Sequence, residues 1–328
     1  MTKTESKKQV WLGLDLGGTK ILAEVYDQDF NLLGSKKRKT KAELGQKEGL
    51  QRLLRTGQDA LEDAGLSPKD LNGVGIGCPG VLDLEKGNLK RATNLGWEDV
   101  PIRDLLSKEF GVPAAEANDV DAGTFGEATH GAGKGARCVL GVFPGTGIGG
   151  GMVYEGSIFR GKKGSCLEVG HMPVVENGLL CGCGRRGCLE TVSGRLAISA
   201  AAAVCAQRGE APWLRENVGT DIANIRSGAL AKSIENGDTA IETLIRQACE
   251  TLGSVMGGLV NVLAPDVLVV GGGLADALPD LLMESIEKGM TPKIMESLQG
   301  SCSLQLATLG DHATALGAAA WAKKQVMG

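Results

Sequence analysis

Aromatic residues are scarce in this sequence, 3% of 328 positions, so any core of this size has to be built from aliphatic side chains. Basic residues are not in excess. The 35 Lys and Arg against 39 Asp and Glu leave a net charge of −4. That balance excludes a nucleic-acid binder that tracks the phosphate backbone by charge. Long apolar runs are missing too. None approaches the roughly 18–20 residues of a membrane span, and the first ten residues, MTKTESKKQV, contain no apolar signal core. The expectation is a cytoplasmic protein with neither a membrane nor a nucleic-acid partner. The nine cysteines are odd in number and come without a secretion signal. They fit a reducing compartment in which thiols act as ligands or core residues.

Glycine is what the chain has in plenty: 50 residues, about twice the usual share. The length favours two domains over one, yet no low-complexity linker marks a boundary. Apolar patterning predicts strands at 10–16, 21–26, 31–39, 74–78, 112–117, 137–143, 152–154, 267–270 and 304–308. It predicts helices at 46–64, 101–110, 121–129, 194–208 and 239–263, one starting at 274 or later, and one from about 313. Residues 145–151 read as a glycine-rich turn and 209–225 as an irregular insertion. The alternation of strand and helix is that of an α/β protein. One internal echo stands out. LGLDLGGTKILAEVY (12–26) and LGVFPGTGIGGGMVY (140–154) align at a fixed offset, each a strand, a glycine turn and a strand.

Five segments carry chemistry. In the first, Asp15 ends a strand and Gly17, Gly18, Thr19 and Lys20 follow. Such a turn exposes backbone N–H groups that can cradle phosphate; Thr19 adds a hydroxyl, Lys20 a cation, and Asp15 a group for Mg²⁺ or its waters. The competing reading is an ordinary hairpin turn. The second is Gly145–Thr146–Gly147 with the glycines after it. Three glycines in a row inside a strand require a close backbone or ligand. Residues 145–150 and 75–80 also match GxGxxG, but neither precedes a helix directly, and Lys134 in GAGKGA lacks the Ser or Thr of a Walker loop. The third is Asn118–Asp119 at a strand end, where a carboxylate can serve as general base or the pair can simply cap a helix.

The fourth segment is His171 with Cys181, Cys183 and Cys188. Three thiols in CxC-x4-C spacing plus an imidazole supply four N/S ligands, a closed tetrahedral set for structural zinc. The fifth is a pair of carboxylates, Glu168 and Glu190, that bracket this loop. A zinc-folded loop would hold both where they can bind sugar hydroxyls.

Taken together, DLGGTK, GIGCPG, NLGW, ANDVDAG, GTGIGGG, LEVGHM, CGCGRRGCLE and DHATALGAAA occur in the order seen in ROK-family sugar kinases, and the sequence resembles that family over nearly its whole length. The resemblance implies an actin-like ATPase fold of the hexokinase type, ribonuclease H-like, with two α/β domains and a central cleft. It implies residues 1–119 plus about 311–328 as one domain and 120–310 as the other. It also implies Mg-ATP as co-substrate, Mg²⁺, structural Zn²⁺, a homodimer, and phosphorylation of a hexose in carbohydrate metabolism, with glucose ahead of N-acetylglucosamine, N-acetylmannosamine or fructose. By the same resemblance Asp119 is the general base. Gly80, Asn94, Asn118, Glu168, His171 and Glu190 bind the sugar. Gly17, Gly18, Thr19, Thr146 and Gly147 face the phosphates, and Gly272 and Gly273 the adenosine. His171 would meet zinc through one ring nitrogen and the sugar through the other.

The sequence departs from the family pattern at several places. Ala117 stands where Glu is usual, with Glu116 one place earlier. Asp121 replaces a common Asn, Leu167 a Gly, and Cys166 a small residue. Phe143–Pro144 precede the second turn. A regulator of this family would carry a helix-turn-helix domain of several tens of residues before the first turn. Fourteen residues precede Asp15 here, so an enzyme is the expectation.

Overall fold

The computed structural model describes residues 9–162, 164 and 166–328. The charged tail at 1–8 lies outside the described residues. In chain order the first part comprises β1 (Trp11–Leu16), β2 (Lys20–Tyr26), β3 (Leu32–Lys39), α1 (Gly45–Asp63), β4 (Gly73–Cys78), β5 (Val81–Asp83), β6 (Asn88–Ala92), β7 (Trp97–Val100), α2 (Ile102–Phe110), β8 (Ala114–Asn118) and α3 (Asp119–His130). Then follow β9 (Cys138–Pro144), β10 (Ile148–Tyr154), β11 (Ser157–Ile158), α4 (Glu190–Ser193), α5 (Arg195–Arg208), α6 (Pro212–Asn217), α7 (Ser227–Glu235) and α8 (Thr239–Leu263). The chain closes with β12 (Val267–Val270), α9 (Gly273–Ala277), α10 (Pro279–Met290), β13 (Ser303–Leu306) and α11 (Ala313–Met327).

Two five-stranded sheets share one topology. Their orders are β3-β2-β1-β4-β8 and β11-β10-β9-β12-β13, and a small third sheet has the order β5-β6-β7. In the first, β1, β4 and β8 pair in parallel, and β2 pairs antiparallel with both β1 and β3. In the second, β9, β12 and β13 are parallel. Every residue of β1 is buried, as a central strand covered on both faces requires. The echo between 12–26 and 140–154 is thus β1-turn-β2 set against β9-turn-β10.

The chain forms two compact units: Met1–Gly135 with Gly151–Cys166 and Asp311–Gly328, and Ala136–Gly150 with Leu167–Gly310. The sequence expectation put the change at residue 119. The structure keeps α3 in unit 1 because the last helix, α11, packs along it and over β1 and β4. The approach is close: a Cβ on Gly13 would lie 1.9 Å from the carbonyl oxygen of Ala315, and one on Gly75 1.8 Å from that of Ala318. The unit 1 core is aliphatic around few rings: Leu12, Leu14, Leu53 and Ile76 with Trp97 and Phe110. In unit 2 the long α8 buries Ile241, Ile245, Ala248, Leu252, Met256 and Val260 at helical spacing.

Three expectations are corrected. The 209–225 insertion is not irregular throughout, since it holds α6. The distant Asp238 accepts hydrogen bonds from the Trp213 and Leu214 amides at 3.2 and 2.9 Å and so caps that helix. The turn at 145–151 is shorter than expected, because Gly149–Gly151 lie within β10. A Cβ on Gly150 would come 2.5 Å from the Leu167 oxygen, and one on Gly151 2.4 Å from Thr124 Oγ1. Crowding within the fold, by the Leu167 backbone and the Thr124 side chain, explains Gly150 and Gly151. Finally, α3 begins at Asp119 rather than 121, with Asn118 as its cap.

Candidate active site

The candidate residues fall into two sets, one in each unit. In unit 1 the first glycine turn closes when Gly17 N donates to the Lys20 carbonyl at 2.9 Å. Thr40 braces it from outside: its hydroxyl donates to the Gly17 oxygen at 2.6 Å and its amide to the Thr19 oxygen at 2.9 Å. None of the described hydrogen bonds uses the Gly18 or Thr19 amide. Asn94, on the β6–β7 connection, brings its amide nitrogen beside Gly18, 3.1 Å from where a Cβ would stand. Lys20 is paired with Asp311 at 2.6 Å, and Lys37 reaches the same carboxylate at 3.0 Å. Those two ammonium groups hold Asp311 down at about 2. Gly80 turns the chain after β4 with φ +91°.

Asp15 and Asp119 form the acidic centre of unit 1. Asp15 is buried at the end of β1. Burial, joined by the charge of Asp119, pushes its carboxyl up to about 7, while Lys20 pulls the other way. Asp119 is the first residue of α3, and burial raises its pKa against the lowering pull of the Val120 amide. Asn118 caps the helix, its Oδ1 accepting from Val120 N at 2.9 Å, and its Nδ2 donates to the Cys78 carbonyl at 3.4 Å. Thr314 on α11 donates to the Asp119 carbonyl at 3.3 Å. Capping and the acidic role therefore coexist in one Asn-Asp pair. Glu116, the displaced acid of this strand, is buried and committed elsewhere: Arg103 holds it at 2.8 Å (Nε–Oε2) and 2.5 Å (Nη2–Oε1).

In unit 2 the second turn closes by Gly145 N donating to the Gly147 carbonyl at 2.8 Å. The start of α5 docks on it, with Arg195 N on the Gly145 oxygen at 2.9 Å and Leu196 N on the Thr146 oxygen at 3.3 Å. Gly272 and Gly273 open α9, and a Cβ on Gly272 would meet the Pro144 oxygen at 2.9 Å, which sets them beside this turn. Glu190 has two roles here. One carboxylate oxygen accepts from Ile148 N at 3.1 Å and the other from the Cys181 thiol at 3.7 Å. It ties the cysteine loop to the second glycine turn. Glu168 is exposed and precedes the 3₁₀ turn Val169–His171.

The ligand atoms of His171, Cys181, Cys183 and Cys188 all lie within 4.8 Å of one another. Cys181 Sγ is 3.5 Å from His171 Nδ1, and Cys183 Sγ is 3.6 Å from Cys188 Sγ. Tetrahedral Zn–S bonds of about 2.3 Å require sulfur–sulfur edges of about 3.7 Å, so the donor set fits such an ion. The Arg185 amide helps to lower the Cys183 thiol to about 6, toward the thiolate that a metal needs. With Nδ1 turned to the thiols, Nε2 of His171 is left for another partner. The nine cysteines are all free thiols, and no helix among the described residues is long and apolar enough to cross a membrane.

Several residues of these sites carried no signal in the sequence. Thr40 and Thr314 act through the backbone of others. Arg195, whose guanidinium donates to Thr146 Oγ1 at 2.9 Å, follows no motif.

Residues 11–325 match the ROK family. The chain is 30% identical to a glucokinase of Thermotoga maritima over 318 residues, 97% of this chain and 98% of that one. It superposes with a TM-score of 0.82 and 29% identity on a ROK family glucokinase from Streptomyces griseus solved with glucose and AMPPNP, covering 96% and 99% of the two chains. It is also 28% identical to a xylose repressor of Caldicellulosiruptor bescii over 276 residues, 82% of this chain and 68% of the repressor.

Proposed function

The chain belongs to the ROK family and has its two-domain, actin-like ATPase fold, and from that premise we propose that it is an ATP-dependent kinase of the hexose 6-hydroxyl, with glucose as the acceptor. The observation that carries the reading is the pair of carboxylates, Asp15 buried and Asp119 half-buried, at the ends of β1 and β8 beside a glycine turn whose Gly18 and Thr19 amides none of the described hydrogen bonds uses. Phosphoryl transfer asks for positioning and charge neutralisation more than covalent chemistry. Asp119 takes the proton of the attacking hydroxyl; a carboxylate lifted toward neutral pH is better suited to that task than an ordinary one. Asp15 holds Mg²⁺ or its waters. Gly17, Gly18, Thr19, Thr146 and Gly147 bind the phosphates, and Gly272 and Gly273 face the adenosine.

Asn94, Asn118, Gly80, Glu168 and Glu190 position the sugar, and His171 offers it Nε2. His171, Cys181, Cys183 and Cys188 hold structural zinc, which would fix the fold of the loop that carries these groups. The glucokinase relatives and the GCPG and NLGW segments support glucose over acetylated hexoses. A homodimer in the cytoplasm belongs to the same proposal.

The test is ADP release with Mg-ATP against glucose, N-acetylglucosamine, N-acetylmannosamine, mannose and fructose. Turnover highest with glucose is the expected result. Preference for an acetylated sugar would move the specificity claim to the wall near Leu167. The repressor relatives favour a second reading, a sugar-binding regulator, and sugar binding without turnover on any hexose would select it.

A further inference from the structure

We infer that Arg195 is a nucleotide-binding residue. Its guanidinium and the Thr146 hydroxyl together grip the polyphosphate tail of the nucleotide at the second glycine turn. The inference rests on the kinase reading above and adds to it a residue outside every motif of the sequence. Its Nη2 donates to Thr146 Oγ1 at 2.9 Å. A hydroxyl that accepts this bond keeps its own proton to donate outward. The Thr146 amide is used by none of the described hydrogen bonds, so hydroxyl, amide and guanidinium converge at one corner of the turn.

The backbone around Arg195 is already fixed. The first two amides of α5 are bonded to the Gly145 and Thr146 carbonyls, so they do not face a ligand. The positive group that remains is the side chain. None of the described ion pairs includes Arg195, and the residue is half-exposed. Lys20 on the first turn is the opposite case, neutralised by Asp311. A guanidinium without a carboxylate, aimed at a glycine turn, matches the oxygens of a phosphate chain, which it can bind bidentately. A neutral sugar would leave its charge unanswered.

The experiment is calorimetric titration of AMP, ADP and AMPPNP with Mg²⁺, and of glucose, into the full chain and its R195A variant. Loss of one charge-assisted contact should weaken AMPPNP by about fivefold or more, with ADP between AMPPNP and a little-changed AMP, and glucose affinity retained. AMPPNP affinity changed less than about fivefold overturns the inference, as does equal weakening of AMP and AMPPNP. If R195A does not fold, R195Q, uncharged and similar in reach, is judged by the same criterion. The two readings fail separately. A parent chain that binds nucleotide through Arg195 but phosphorylates no hexose ends the kinase reading alone. An active kinase whose R195A variant binds AMPPNP like the parent ends this inference alone.

Discussion

The two glycine turns are built from similar sequence and stabilised by opposite means. The first, in unit 1, stands beside two acids, Asp15 buried and Asp119 half-buried, and its lysine is bound to Asp311. The second, in unit 2, is stiffened by a carboxylate turned inward, Glu190 on Ile148 N, and displays an arginine on its hydroxyl. Under the proposed function, a repeated strand-turn-strand gives each unit a place for phosphate but does not set what else happens there. The neighbours differ: acids at the ends of β1 and β8 beside the first turn, and a cysteine loop tied by Glu190 beside the second.

The sharpest way to break that contrast is Asp119→Asn. If the first turn is the chemical one, turnover should fall about 10²–10⁴-fold while glucose binding, measured by calorimetry, stays close to the parent. Retained turnover would remove the base assignment.

Next in size is Cys183→Ser. The parent should carry about one zinc per chain by metal analysis and the variant none, with glucose affinity about 10–100-fold weaker through the displaced loop. Unchanged glucose affinity in the metal-free variant contradicts the bracing role.

A smaller effect concerns pH. The Asp15 pKa rises from 3.8 to about 7 on folding. The folded chain thus binds that proton more tightly than the unfolded one. The resulting stability is complete below the unfolded value and is lost as pH climbs through about 7. Asp15→Asn should therefore gain on the parent in thermal midpoint by a few degrees between pH 5 and pH 8 in Mg²⁺-free buffer. A difference that stays flat with pH would refute desolvation as the cause.

The finest comparison is of the glycines themselves. A Cβ on Gly147 would sit 2.1 Å from Glu190 Oε2, whereas one on Gly18 would sit 3.1 Å from the Asn94 amide. Gly147→Ala should lower stability by about 1–3 kcal/mol. Gly18→Ala should stay within about 0.5 kcal/mol, both by denaturant unfolding. Equal costs would mean that Glu190 is not held as described.

The strands and helices with strong apolar periodicity were legible from the sequence alone. The 239–263 helix and the 267–270 strand have the predicted bounds, since their buried residues recur without interruption. The three-stranded sheet at 81–100 was not legible. Its charged residues, Asp83, Lys90 and Arg91 among them, leave only Leu89, Ala92, Trp97 and Val100 buried in β6 and β7, three apart in each strand instead of alternating. Helix α6 depends on Asp238, and the strand assignment of Gly149–Gly151 depends on neighbours far along the chain. At the site, the cluster of His171, Cys181, Cys183 and Cys188 was readable because cysteine spacing is local. Arg195, Thr40 and Thr314 were not, because each becomes relevant only through a contact that folding makes.

The crossing of α11 over Gly13 and Gly75 sets an order in time. A ribosome delivers β1 roughly 300 residues before α11, a separation that makes the pairing a slow, non-local event. Until α11 emerges, the glycine-floored groove on β1 and β4 has nothing to cover it. Unit 1 must wait as an unfinished nascent form while the whole of unit 2 is translated. A premature stop before Ala313 would consequently yield not a protein short of one helix but an open groove that chaperones and proteases recognise.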